Sequence, residues 1–171
     1  MTAQFPDQFL LDGQTYAVVG VNGDELFDPA AFDLHPMSRC TACWRGYVCR
    51  YALKGDALVL DQLKTSLFAL EEGQLRKTPG PAIHGVTPTA PTDEHAIFNT
   101  LYQNLDLPIQ FTGRLLIGDE FIQSRQVHMG FHPAWKYAVV LELTFDAGTL
   151  IQTKDVSQAM AQVRKKMGAN E

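Results

Sequence analysis

The segment WKYAVVLELTF, residues 135–145, constrains the fold more than any other part of the sequence. Its apolar side chains recur at every odd position, which is typical of an antiparallel strand with one buried face. The segment is also longer than a usual strand of about five or six residues, which favours a coiled sheet or a partly closed barrel. We expect Lys136, Glu142 and Thr144 to be exposed. The positions expected to be buried are Trp135, Tyr137, Val139, Leu141, Leu143 and Phe145.

Turn-forming residues divide much of the remaining chain into further strands. Asn22-Gly23 follows an apolar run that begins at Gln14, and Lys54-Gly55-Asp56 separates two extended segments of a hairpin. Gly118-Asp119 and Asp146-Ala147-Gly148 predict two more turns. Because tight turns join antiparallel neighbours, we expect a mainly antiparallel sheet.

Helical spacing appears in two places. Ile97, Phe98, Leu101 and Leu105 predict a mid-chain helix over 92–105, with Thr92 as its cap and Asp93 and Glu94 in its first turn. Asp155 and Gln158 can form a capping box for a C-terminal helix that ends near Gly168. The buried positions expected in that helix are Val156, Met160, Val163 and Met167.

Two connecting segments complete the predicted fold. FDPAAFDLHP predicts one helical turn that begins after Asp28, and the four prolines between residues 71 and 91 predict a surface loop. The fold class is therefore α+β and mainly antiparallel β, built as a coiled sheet or partly closed β-barrel. It carries a mid-chain helix and a C-terminal helix, and 1–171 forms a single globular domain.

Composition narrows the class of protein. Fourteen basic and nineteen acidic residues give a net charge of −5, which argues against nucleic acid as a partner. No apolar run approaches the roughly 20 residues of a membrane-spanning helix, and the first residues lack the basic segment of a secretory signal. Three closely spaced cysteines favour a reducing, cytoplasmic location. The oligomeric state is left open.

The segment CTACWRGYVC, residues 40–49, raises the question of a metal site. If the chain is extended from Trp44, Cys43 and Cys49 are about 20 Å apart, too far to share a zinc ion. His128 and His132 would be about 13 Å apart on a strand, although a bulge at Gly130 would change that distance. We therefore expect no cofactor and no metal requirement for folding.

The candidate binding residues come from two parts of the chain. Val127, Met129 and Phe131 alternate with Gln126, His128 and His132, so we expect the first three in the core and the others on the opposite face. Gly130 allows a ligand to approach the backbone closely. The predicted ligand-binding residues are Trp44, Arg45, Arg114, Gln126, His128 and His132, with an arginine holding an anionic group.

The sequence favours a non-catalytic domain that binds an anionic or amphipathic small molecule in a pocket of the sheet. Two alternatives stay open. One is a Cys/His or metal-dependent enzyme, although no motif places a base beside a thiol. The other is an immunity-type module that binds a protein partner.

Overall fold

A nine-stranded sheet dominates the computed structural model, which describes residues 2–93 and 96–168. A separate hairpin in the middle of the chain is formed by β5 (Phe68–Glu71) and β6 (Gln74–Lys77). The strands of the main sheet are β1 (Gln8–Leu11), β2 (Gln14–Gly23), β3 (Tyr47–Lys54), β4 (Ala57–Thr65), β7 (Thr100–Tyr102), β8 (Leu107–Pro108), β9 (Gly113–Phe121), β10 (Tyr137–Asp146) and β11 (Thr149–Asp155).

The strands run in the order β11-β10-β9-β2-β1-β3-β4-β7, and β8 pairs with β4. Every pairing is antiparallel except that of β1 with β3. The sheet curls until β11 meets β4 at a single position, where Thr149 lies opposite Ala57. The sheet is therefore partly ring-like and is not a closed barrel. The predicted α+β class with a mainly antiparallel sheet is confirmed.

The main core fills the concave side of this curled sheet. Leu115 and Ile117 of β9 and Leu143 and Phe145 of β10 are at most 1% exposed, as the alternation along a strand requires. They pack with a fully buried Phe9 in β1. Each such side chain contributes about 1.5–3 kcal/mol through removal from water.

The alternation predicted for 135–145 holds only in part. Leu143 and Phe145 are buried in the main core, and Tyr137 is buried in a second cluster that includes Val140. Lys136 is only 5% exposed, so its predicted exposure is wrong. The half-buried positions are Trp135, Val139, Leu141, Glu142 and Thr144. Residues 134–136 form a short 3₁₀ turn before β10 begins, and Lys136 therefore does not follow the strand's period. Val140 is also fully buried, because a helix covers the other face of β10.

That helix is α1 (Ser157–Gly168), the predicted C-terminal helix. The Asp155 carboxylate accepts a 2.8 Å hydrogen bond from the Ser157 amide and caps its first turn. Val156 and Met160 pack against the cluster around Val140, whereas Met167 is exposed, contrary to expectation. Arg164 of α1 donates to the carbonyl oxygens of Trp135 and Tyr137.

The predicted mid-chain helix is wrong. Thr100–Tyr102 is strand β7, paired antiparallel with β4, and both of its end residues are buried while Leu101 is half-buried. Tyr102 donates a 2.7 Å hydrogen bond to the Pro81 carbonyl, which ties β7 to the proline-rich loop. The open edge of β4 supplies hydrogen-bond partners that outweigh the weak helical spacing. Glu94, expected in the first turn of that helix, lies outside the described residues.

Strand β9 is continuous through Gly118, so the predicted turn at Gly118-Asp119 is wrong. A Cβ atom at this position would lie 2.8 Å from Cγ of Tyr137 on the neighbouring strand. Glycine is required here because the Tyr137 ring packs directly over the strand and leaves no room for a side chain. The hairpin turn at Lys54-Gly55-Asp56 and the helical turn after Asp28 are confirmed.

Candidate functional site

The candidate site begins with a tight turn that precedes β3. The Gly46 amide donates a 3.2 Å hydrogen bond to the Cys43 carbonyl, so Trp44 and Arg45 are the two central residues of a β-turn. Gly46 has a φ of 74°, and a Cβ atom there would lie 2.6 Å from the backbone of Met37. Trp44 and Arg45 therefore project from a fixed corner rather than from an extended strand.

An ion pair with Asp7 holds Arg45 in place. The two terminal guanidinium nitrogens donate to the Asp7 carboxylate over 3.0 Å and 2.7 Å, and the Cys49 amide donates to the same carboxylate over 2.8 Å. The Arg45 and Asp7 side chains are 33% and 13% exposed. Burial opposes the positive charge, but the hydrogen bonds and the attraction to Asp7 outweigh it and raise the pKa of Arg45.

The N-terminal segment joins this turn to the loop over 126–132. The buried Gln4 side chain donates to the Thr41 carbonyl and accepts a hydrogen bond from the Trp44 amide. The Gln4 backbone amide donates to the Gly130 carbonyl over 2.8 Å. The two segments that the sequence proposed for one site are therefore neighbours, with residues 4–7 between them.

Two adjoining concavities flank the Asp7–Arg45 pair. The first has a volume of 280 Å³ and the second a volume of 260 Å³, and both are lined by Asp7, Val21 and Arg45. Val18, Val19, Gly20 and Phe131 complete the first concavity. Asp24, Glu25, Leu26, Phe27, Tyr47 and Tyr51 complete the second.

Exposed apolar side chains are frequent on the segments that form or adjoin these concavities. Six of the eleven exposed large apolar residues in the described part of the chain lie on the segments just described or on β2. We call them the apolar surface, and four of the six are more than half exposed. The apolar surface consists of Phe5, Val21, Trp44, Val127, Met129 and Phe131.

The loop over 126–132 is not a strand, and the expectation that Val127, Met129 and Phe131 lie in the core is wrong. In the described residues, the loop forms one isolated β-bridge, in which Gly130 pairs with Ala3. Without a neighbouring strand, alternation does not set which side chains are buried. The three apolar residues are 46–56% exposed instead.

His128 is exposed, and His132 is half-buried against the Phe121 ring, with 4.7 Å between ring centroids. Burial lowers the pKa of His132, and the nearby charges of Lys136 and His128 lower it further. The Nδ1 atom of His132 is buried and has no hydrogen-bond partner within the described residues. Because the loop is not extended, the 13 Å separation expected for the two histidines does not apply.

Gln126 and Arg114 lie away from the lining of both concavities. Gln126 is exposed in the loop. Arg114 lies on β9, where the neighbouring Leu115 points into the core, so Arg114 projects from the opposite face. Its guanidinium is 3.9 Å from a carboxylate oxygen of Glu142. Of the six predicted residues, Arg45 lines both concavities and Trp44 precedes it in the turn, and a binding role for all six stays a prediction.

The residues that sequence reasoning missed are Asp7 and Val21, together with the acidic pair Asp24 and Glu25. Asp7 lies 38 positions before Arg45, and no local pattern links them. The apolar run that ends at Val21 indicated a strand correctly, but it did not show that Val21 is half exposed and lines both concavities.

The three cysteines are free thiols. Cys43 and Cys49 are buried, and burial raises the pKa of both thiols, which keeps them protonated and weakly nucleophilic. Within residues 2–93 and 96–168, no three His, Cys, Asp or Glu side chains are grouped to hold a metal ion. Metal-independent folding stays a prediction.

A scan against protein-family models gives no match, and searches of curated proteins and of solved structures find none either. In the described part of the chain, no helix combines the length and apolar character needed to cross a membrane.

Proposed function

We propose that this protein is a non-catalytic binding domain that holds an amphipathic small molecule in the concavities around the Asp7–Arg45 pair. The main support for the proposal is that the apolar surface adjoins the Asp7–Arg45 ion pair, which is fixed in position. Exposed apolar patches bordered by polar groups are typical of binding surfaces.

The size of the concavities favours a small ligand or one part of a larger one. Ligand pockets usually span about 300–1,000 Å³, and the first concavity alone, at 280 Å³, lies just below that range. A ligand that covers about 100 Å² of the apolar surface gains about 2.5 kcal/mol from burial.

Preorganisation adds to this gain. Arg45 is held by two hydrogen bonds to Asp7, and its guanidinium lies 4.6 Å from the centre of the Tyr47 ring. A side chain that is already fixed loses little conformational entropy when a ligand binds. Arg45 therefore forms its part of the wall before a ligand binds.

A protein partner is the second candidate, because the apolar surface extends beyond the concavities. Phe5, Trp44, Val127 and Met129 belong to the apolar surface but do not line either of them. A partner of this kind would cover a larger area than a small molecule does. The Cys/His or metal-dependent enzyme gains no supporting observation from the buried, protonated thiols. A cytoplasmic location and the lack of a nucleic-acid partner stay expectations from composition.

Nile red, a neutral apolar dye, tests the proposal directly. We expect saturable binding, followed by dye fluorescence, that Phe131→Ala weakens at least about fivefold because the ring forms one wall. Leu70→Ala is the matched control, since Leu70 is also more than half exposed but lies on the separate β5–β6 hairpin. Equal loss in both variants, or no saturable binding, contradicts the proposal. If the dye binds without saturation, the apolar surface has no defined small-molecule site, and the protein partner is favoured.

A further inference from the structure

The charges around the second concavity do not balance. Asp7 and Arg45 neutralise each other through their ion pair, which leaves the carboxylates of Asp24 and Glu25. Both residues are exposed, and neither forms an ion pair with any other described residue. One Asp24 oxygen accepts a 3.1 Å hydrogen bond from the Thr112 amide, which fixes the carboxylate at this end of β2.

Arg45 does not provide a free positive charge for an anionic ligand. Its guanidinium is bound to Asp7 and lies over the Tyr47 ring, and the ring centroid of Phe131 is 5.9 Å away. Among the described residues that line the second concavity, Arg45 is the only cation, so an anion placed there would meet Asp24 and Glu25 without a free positive charge. The same two carboxylates attract a cation.

We infer that the ligand of this site is an amphipathic cation whose apolar part contacts Val21 and Phe131 and whose charged group faces Asp24 and Glu25. The inference rests on the proposed function and replaces the anionic ligand expected from Arg45. The two concavities share Val21, so a single small molecule can contact both.

Two indole compounds that differ in charge test the inference. Tryptamine carries an ammonium group and indole-3-propionate a carboxylate, each joined to the indole ring by a two-carbon chain. One nearby unit charge changes affinity by about threefold in water at low ionic strength. With two carboxylates, we expect tryptamine to displace Nile red at a concentration at least about tenfold lower than indole-3-propionate does. The preference should shrink as salt is added.

A matched pair of double variants identifies the source of the preference. Asp24→Asn with Glu25→Gln removes two negative charges beside the concavity, and the new amide oxygen at position 24 still accepts from Thr112. Asp12→Asn with Glu72→Gln removes the same charge from two hairpin turns elsewhere. We expect the first pair to abolish the tryptamine preference and the second to preserve it. The ratio of the two indole compounds is taken within each variant, so that any change in Nile red affinity cancels.

The outcomes separate the two proposals. If Nile red binds and Phe131→Ala weakens it, but the indole compounds bind equally or the carboxylate binds more tightly, the inference is overturned and the proposed function stands. A tryptamine preference that persists in the Asp24 and Glu25 variant also overturns the inference. If Nile red does not bind saturably, the proposed function fails, and the inference fails with it.

Discussion

Asp7→Ala tests whether the ion pair beside the concavities also holds the local structure together. The substitution removes an acceptor that serves two Arg45 donors and the Cys49 amide. Cys49 is fully buried, so water cannot replace Asp7 as the acceptor for its amide. Leaving that amide unpaired costs about 1–3 kcal/mol of folding free energy. Arg45 is a third exposed, and water compensates part of its loss. We expect a total loss of about 3 kcal/mol, at the low end of the cost of breaking a buried pair.

Asp61→Ala is the matched control for this experiment. Arg50 and Asp61 form an ion pair of similar exposure, 29% and 16%, but the Asp61 carboxylate accepts no hydrogen bond from a buried amide in the described part of the chain. Urea unfolding at neutral pH gives both free energies by linear extrapolation. Asp7→Ala should cost at least about 1 kcal/mol more than Asp61→Ala. Equal costs, or a loss below about 1 kcal/mol for Asp7→Ala, would refute the reasoning.

Four further predictions address the fold. Gly118→Ala should lose about 1–3 kcal/mol in urea unfolding, because its Cβ atom would lie 2.8 Å from the Tyr137 ring; an unchanged stability would mean that β9 and β10 pack differently. Tyr102→Phe should lose about 0.5–1.5 kcal/mol, since it removes the hydrogen bond to the carbonyl of Pro81, an exposed residue that water can reach. Burial raises the pKa of Tyr102 to about 12, so the midpoint of its absorbance titration should lie at about that pH. Because the pKa of His132 is lowered in the folded state, the unfolded chain takes up this proton first. The stability of the wild type should therefore fall more steeply than that of His132→Gln as the pH drops below about 6.5, and parallel curves would contradict the burial of His132. Chelation with EDTA should leave the melting temperature unchanged, and a large drop accompanied by stoichiometric zinc would show that metal is needed.

Strand β10 shows what periodicity can and cannot predict. Leu143 and Phe145 are buried as expected, because one face of the strand lies on the main core. Val140 on the other face is buried as well, since α1 returns over the sheet from the end of the chain. The period of one strand carries no information about an element that packs on it later. Lys136 differs from expectation for a local reason, because it belongs to the turn before the strand.

The loop over 126–132 shows the opposite case. Its apolar residues alternate as regularly as those of β10, yet Met129 and Phe131 are more than half exposed. A strand needs a neighbour to fix its faces, and here the neighbour is one residue of the N-terminal segment. Sequence reasoning found Trp44 and Arg45 from their residue types, but Asp7 could be found only from the three-dimensional fold.

Titration of ¹⁵N-labelled protein with indole, followed by amide chemical shifts, tests the proposed function most directly. Indole is neutral, so the result does not depend on the charge preference. We predict saturable shift changes at four residues that line the first concavity, Val18, Val21, Arg45 and Phe131. Changes confined to the separate concavity lined by Lys64, Phe98 and Leu101, or no saturable change anywhere, would contradict it.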